Sequence, residues 1–172
     1  FIVSTQSVPV LGMLLVSRFE AWQEMFTFAM LGFYLLGCMF YILIISLIVY
    51  RFMFFKIEAE EMNPSYWINT GAVAITTLAG ANILLKGTAP FISDLSPFIK
   101  GFTLFFWAAG TWWIPYLFIV GAWRHFYKHY PLTYHPVYWG LVFPMGMYTV
   151  ATYRLAEVLN MDFLLLIPQY FI

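Results

Sequence analysis

Three basic residues of this chain could together attract anions. Arg18, Lys86 and Arg154 each lie near the end of a segment that is polar and rich in small residues. If these segments are parallel helices around a pore, the three cations form a ring at one mouth and raise the local anion concentration. Cations also complement helix C-termini and reach towards membrane surfaces. The anion-attracting mouth is therefore a hypothesis with a structural alternative.

Phe143 could act as a gate on the third of these segments. Phe143 and Arg154 are separated by 154 − 143 = 11 positions, which is close to three helical turns, so they share a helix face with Met147 and Val150. If Arg154 lies at a pore mouth, Phe143 projects about 16 Å deeper. Pro144 follows it and removes a backbone donor. Spacing alone does not single out this ring among 19 phenylalanines.

Residues 64–84 supply the candidate pore wall. Their sequence, PSYWINTGAVAITTLAGANIL, is long enough to cross a bilayer but unusually small and polar. Such a helix packs closely against other helices or faces a water-filled cavity. We predict that Gly71 and Thr76 line a pore, together with Pro144 and Thr149 from the later polar segment.

Other chemistry is not indicated. His125 and His129 could share a helix face, but their position at the end of an apolar helix favours an interfacial role over metal or haem binding. Cys38 is the single cysteine, so no disulfide within the chain and no cysteine–histidine zinc site is expected. We see no paired acids, activated nucleophile or phosphate loop. We therefore predict no enzyme activity, no cofactor and no metal.

The composition indicates an integral membrane protein. Of the 172 residues, 63% are hydrophobic and only 9% charged, whereas soluble domains carry about 25% charged residues. The net charge of zero gives no reason to expect a nucleic-acid partner. The chain starts with Phe1 and ends in an apolar run, and we expect a fragment of a longer protein.

The hydrophobic pattern predicts an all-α polytopic membrane protein, with one domain over 1–172. Polar and apolar helices alternate, which suggests helical hairpins with polar inner helices around a pore and apolar outer helices. The expected helices are about 1–17, 25–52, 65–86, 98–124, 136–158 and 162–172, the last truncated. The positive-inside count is four against four, so charge alone does not orient the protein.

Several segments resemble the tellurite-resistance/dicarboxylate transporter family, which includes TehA-type channels, fungal malate permeases and plant slow-type anion channels. The resemblance covers essentially the whole chain, matched to the C-terminal half of the family. It rests on STQSVPVLG, PSYWINTGAVAITTLAG, GFTLFFWAAGTWWIPYL and YHPVYWGLVFPMGMYTVATYRLA.

This resemblance implies ten transmembrane helices in five hairpins, with the odd helices around a central pore. The five complete helices here would be the fifth to the ninth. It also implies one pore in each subunit of a homotrimer, in a bacterial or archaeal cell membrane. Channel members carry a pore-blocking phenylalanine on the ninth helix, and YWGLVFPMGMY places it at Phe143.

Three functions remain open at this point. The first is channel-like passage of small anions, gated by Phe143. The second is a proton-coupled carrier for malate, another dicarboxylate or a tellurite-related substrate, which would need a titratable group in its pathway. The third is a membrane scaffold that transports nothing, in which the polar helices pack tightly and leave no cavity.

Overall fold

The structure, a computed structural model, describes residues 1–171, which are predominantly helical and contain no strand. The main helices are α1 (Ile2–Leu15), α2 (Gln23–Phe54), α3 (Ile68–Lys86), α4 (Pro90–Ala122), α5 (Val142–Leu159) and α6 (Leu166–Phe171). Short 3₁₀ turns lie at Val16–Arg18, Glu20–Trp22, Pro64–Trp67, Pro136–Leu141 and Asp162–Leu165, and a π turn at Trp123–Tyr127 extends α4. The all-α prediction is confirmed.

The two polar helices α3 and α5 are each preceded by a short turn that begins with a capping side chain and a proline. Before α3, the Asn63 side chain accepts a hydrogen bond from the Ser65 backbone N–H at 2.9 Å, and Pro64 follows as the first residue of the turn. Before α5, His135 does the same for the Val137 N–H at 3.3 Å. Both arrangements satisfy a free backbone donor at a helix entrance, where proline is tolerated.

One predicted boundary was wrong. We expected the fourth helix to begin near 98, because Pro90 and Pro97 are typical of loops, but α4 begins at Pro90. Pro90 occupies the first helical turn, where no backbone N–H is needed. Pro97 lies inside α4, and the buried Ile92 and Ile99 on either side of it anchor this part of the helix against the core.

Among residues 1–171, three helical stretches are long and apolar enough to cross a membrane: Glu20–Phe54, Pro64–Lys86 and Pro90–Tyr127. They differ in surroundings, because 78% of the most apolar window of the middle one is buried, against 22% and 17% for the outer two. α3 contacts α1, α2, α4 and α5. The protein is therefore an integral membrane protein with α3 at its centre and α2 and α4 as its apolar outer layer.

The outer helices approach α3 very closely at Gly80. Tyr34 of α2 and Thr103 of α4 share a hydrogen bond of 3.1 Å between their hydroxyl oxygens, directly over Gly80. A Cβ atom at position 80 would overlap the Thr103 Oγ1 and would lie 2.9 Å from the Tyr34 hydroxyl. Small residues allow such approaches between membrane helices, so Gly80 allows both outer helices to meet α3.

A buried glutamine, Gln6, links α1 to α2 by a hydrogen bond. The Gln6 side chain of α1 is fully buried and donates a hydrogen bond of 3.0 Å to the backbone carbonyl of Tyr34. Gly37 leaves the space for it, since a Cβ atom there would lie 2.6 Å from the Gln6 Cδ. The polar character of α1 thus serves helix packing at this position, as it commonly does between membrane helices.

Candidate functional site

The orientation of α5 is set by two side-chain contacts with the outer helix α4. The Trp107 Nε1 donates to the Thr152 Oγ1 at 2.9 Å. The Thr111 and Tyr148 hydroxyl oxygens lie 2.6 Å apart. Thr152 and Tyr148 therefore mark the outward side of α5.

Phe143 lies on the opposite side of α5. It precedes Thr152 by 152 − 143 = 9 positions, which at about 100° per residue places it about 180° away around the helix. Its side chain is 56% exposed, and Val150 on the same side is 47% exposed. We call the surface formed by Phe143, Met147, Val150 and Arg154 the inner face of α5.

Helical periodicity also indicates the inner side of α3. Gly80 faces both outer helices, so the inner side lies opposite Gly80. Leu78 lies about 160° from Gly80 around the helix. Val10 of α1 and Met147 of α5 both pack against the cluster that contains Leu78 and Ala74. Trp107 and Ile114 of α4 pack against the same cluster, so α1, α3, α4 and α5 meet around Leu78 and Ala74.

Gly71 and Pro144, both predicted to line a pore, pack against each other. A Cβ atom at Gly71 would lie 3.3 Å from the Pro144 Cγ. Both residues are buried. Their contact joins the N-terminal parts of α3 and α5 directly beside Phe143, so the structure gives them a positioning role at this point.

Thr76 and Thr149, also predicted to line a pore, are placed away from the inner side. Thr76 is four positions before Gly80 and faces the outer helices with it, and Thr149 lies about 120° from Phe143 around α5. The Thr76 hydroxyl donates to the Ala72 carbonyl at 2.8 Å, and the Thr149 hydroxyl to the Met145 carbonyl at 2.9 Å. Each hydroxyl is satisfied by its own helix, so their placement does not favour a pore-lining role.

The three basic residues of the predicted mouth differ in their surroundings. Arg18 and Lys86 are exposed. The adjoining helix ends are joined by a hydrogen bond from the Gln23 side chain to the Thr88 hydroxyl. Arg154 is partly buried and pairs with Glu157 at 2.8 Å, so a carboxylate offsets its charge. Exposed Glu20, Glu24 and Asp94 lie at the same helix ends, so this end of the bundle carries acidic as well as basic residues.

Sequence reasoning missed Val10 and Leu78 as inner-side residues. The positions of two glycines could have indicated them. Outer helices approach α1 at Gly12 and α3 at Gly80, and Val10 and Leu78 lie on the opposite sides of these two helices. Within residues 1–171 no group of three histidine, cysteine or acidic side chains could hold a metal ion.

Comparisons with known proteins agree with this architecture. The family model described as voltage-dependent anion channel matches residues 1–172. An uncharacterized membrane protein of Mycobacterium tuberculosis is 40% identical over 115 residues, covering 67% of this chain and 58% of that relative. An uncharacterized transporter of Methanocaldococcus jannaschii is 25% identical over 156 residues, covering 90% of this chain and 44% of that relative.

This chain thus spans about half the length of the curated relatives it matches. No solved structure matches it. The match to the family model extends over every helix described above, including α5 and its inner face. The chain belongs to the voltage-dependent anion channel family.

Proposed function

We propose that this chain forms part of a transmembrane path for small anions, gated by Phe143. The observation that carries the proposal is the orientation of α5: Phe143 lies opposite the contact between Thr152 and Trp107, on the inner face of α5, where Phe143 and Val150 are exposed. A bulky apolar ring at such a place closes a pore by excluding water. The family match over residues 1–172 supports the same interpretation.

Anions would enter at the end that carries Arg18 and Lys86, where Glu20, Glu24 and Asp94 are also exposed. Arg18 and Lys86 are exposed there, and Arg154 is paired with Glu157. Exposed cations at a mouth raise the local anion concentration without a strong binding site deep in the pore. A path that binds its ion weakly along its length favours throughput. In a channel of this kind, Arg18 and Lys86 would be the residues that attract anions at the entrance.

The Gly71–Pro144 contact would fix the gate. Pro144 follows Phe143 directly and packs on Gly71, whose missing side chain lets α3 and α5 meet closely. Pro144 lies in the first turn of α5, where no backbone N–H is needed, so it fits the helix without breaking a hydrogen bond. Opening would then need only a rotation of the Phe143 ring.

A proton-coupled carrier for malate, another dicarboxylate or a tellurite-related substrate is the alternative on the same fold. It needs a titratable group in the pathway. Helices α1 and α3 carry no acidic residue, and Glu157 lies within one turn of the end of α5. The described inner helices therefore favour a channel over a carrier.

A non-transporting scaffold subunit is the second candidate, and one observation favours it. α3 is enclosed, with every residue from Thr70 to Ile83 buried. Tight packing of the polar helices is what a scaffold predicts. The inner face of α5 separates the two functions, because in a scaffold the exposed Phe143 and Val150 would contact lipid or protein rather than water.

The remaining partners follow from the family resemblance. We propose that the protein assembles as a homotrimer with one path in each subunit, and that its ligands are small anions or dicarboxylates. The apolar surfaces of α2 and α4 would contact lipid or neighbouring subunits. No nucleic acid is expected to bind.

Water accessibility along α5 tests the proposal. In full-length protein with Cys38 replaced by alanine, we expect Val150→Cys to react with a membrane-impermeant thiol reagent. Met39→Cys is the matched control, because Met39 is 56% exposed near the middle of the outer helix α2 and would face lipid. Equal absence of labelling at both positions would support the scaffold and contradict a water-filled path beside α5.

A further inference from the structure

Arg124, at the end of α4, is the most deeply buried charged residue of the described chain. Its side chain is only 7% exposed. Arg51 pairs with Glu61 at 3.0 Å and Arg154 with Glu157 at 2.8 Å, but no carboxylate of residues 1–171 lies within ion-pair distance of Arg124. Burying a charge is costly unless it is paired and hydrogen-bonded, so Arg124 is a site where an anion would be stabilised.

The Arg124 side chain is held in place without being neutralised. Its guanidinium lies 4.2 Å from the centre of the Tyr130 ring. Tyr130 is itself fixed, because its backbone N–H donates to the Arg124 carbonyl at 3.1 Å and its own carbonyl bonds to the His125 Nδ1 at 2.9 Å. The Arg124 Nε is buried and has no hydrogen-bond partner among the described residues. The cation is thus positioned, with at least one donor free.

A cavity of about 240 Å³ opens beside this side chain. Besides Arg124, five side chains that can donate hydrogen bonds line it: Asn63, Tyr130, Thr133, His135 and Tyr138. The His135 Nδ1 accepts from the Val137 N–H at 3.3 Å. The ring proton of neutral His135 therefore lies on Nε2, which makes that atom a donor.

Glu60 also lines this cavity, and it is exposed. Its carboxylate is the group in the described chain that would compete with an incoming anion for Arg124. The two side chains do not form an ion pair. Removal of the Glu60 charge should therefore strengthen anion binding rather than weaken it.

The surroundings of the cavity resemble a membrane interface. Large apolar and aromatic side chains on the same loop and helix ends are strongly exposed: Phe126 81%, Tyr127 73%, Leu132 75%, Tyr134 78% and Trp139 67%. Aromatic residues concentrate at the level of lipid headgroups. Basic pockets beside transmembrane helices bind the headgroups of anionic lipids, and arginine is well suited to phosphate oxygens.

We propose that Arg124 and the cavity beside it bind a phosphate group at the membrane surface, supplied by an anionic phospholipid headgroup. The exposed aromatic side chains would contact the adjoining lipid, and the donors of Thr133, His135 and Tyr138 would complete the shell around the phosphate oxygens. This site is separate from the proposed anion path, so a failure of this proposal would not affect the proposed transport function, and the reverse also holds.

Lipid titration tests the site. Full-length protein in detergent is titrated with short-chain phosphatidylglycerol, and binding is followed by tryptophan fluorescence and by native mass spectrometry. We expect Arg124→Gln to weaken binding by about tenfold or more, as loss of a charge-assisted hydrogen bond implies. Lys128→Gln is the matched control: it removes the same charge from an exposed neighbour and should change affinity by less than about twofold.

Two further variants complete the test. Glu60→Gln should tighten phosphatidylglycerol binding, because it removes a competing carboxylate and leaves Arg124 unchanged. If Arg124→Gln fails to fold, Arg124→Lys replaces it and should retain only part of the affinity. Equal losses in the Arg124 and Lys128 variants, or no effect of Glu60→Gln, would overturn the proposal. Competition by inorganic phosphate at equal affinity would overturn the assignment to lipid.

Discussion

Replacement of Phe143 by alanine is expected to raise anion flux through the full-length protein in liposomes by about tenfold or more. The physical reason is the place of the ring: it is 56% exposed on the inner face of α5, opposite the contacts with α4. Removal of a bulky apolar side chain widens and wets a constriction, and Pro144 and Gly71 keep the backbone in place. Flux of chloride, nitrate and malate should be measured in parallel.

A matched variant separates gating from loss of an aromatic surface. Phe105 of the outer helix α4 is 55% exposed, almost the same as Phe143, but lies among Phe102 and Phe106. Phe105→Ala should leave flux unchanged. Similar increases in both variants would mean that leakage, and not a gate, had been measured. An unchanged flux in Phe143→Ala would remove Phe143 from the mechanism.

Substitution of Gly80 by valine is expected to prevent stable folding. Even the Cβ of alanine would overlap the Thr103 Oγ1 and would lie 2.9 Å from the Tyr34 hydroxyl, between two outer helices. Overpacking of this kind costs about 1–3 kcal/mol, and displacement of Thr103 would also break its hydrogen bond to Tyr34. Valine adds two further methyl groups in the same space, so its cost should exceed that of alanine.

Gly101→Ala is the control for this prediction. Gly101 lies in α4, and no neighbouring heavy atom would lie within 4 Å of a Cβ atom at this position. Because glycine is about 0.5–1 kcal/mol less favourable than alanine inside a helix, Gly101→Ala should be neutral or stabilising. Thermal unfolding in detergent and the fraction of monodisperse protein on size exclusion measure both variants. A stable Gly80→Val protein would contradict the tight crossing of α2, α3 and α4.

Much of the fold could be predicted because polarity and helix length carry the signal. The small and polar stretch 64–84 predicted an inner helix, and the bulky apolar stretches predicted α2 and α4 as the outer layer. The complete enclosure of α3, with every residue from Thr70 to Ile83 buried, was not predicted. The error at the start of α4 has a local cause. Prolines at 90 and 97 suggested a loop, but the first starts the helix and burial of Ile92 and Ile99 stabilises the helix around the second.

The candidate site was only partly predictable. Helical periodicity places Phe143 and Arg154 on one face, because spacing is a property of the sequence. The surroundings of Thr76 and Thr149 could not be predicted this way. The sequence does not distinguish a threonine that bonds to a carbonyl of its own helix from one that faces water. The burial of Arg124 was also invisible, because it depends on the packing of Tyr130 from a later loop against the end of α4.

Wild-type anion flux in liposomes, with and without a proton gradient, tests the central claim most directly. The full-length protein is reconstituted and the efflux of chloride, nitrate and malate is recorded under both conditions. We predict anion flux that follows the anion gradient and does not depend on the proton gradient. Flux that requires a proton gradient would replace the channel with a carrier, and no flux in either condition, in wild type or in Phe143→Ala, would contradict transport altogether.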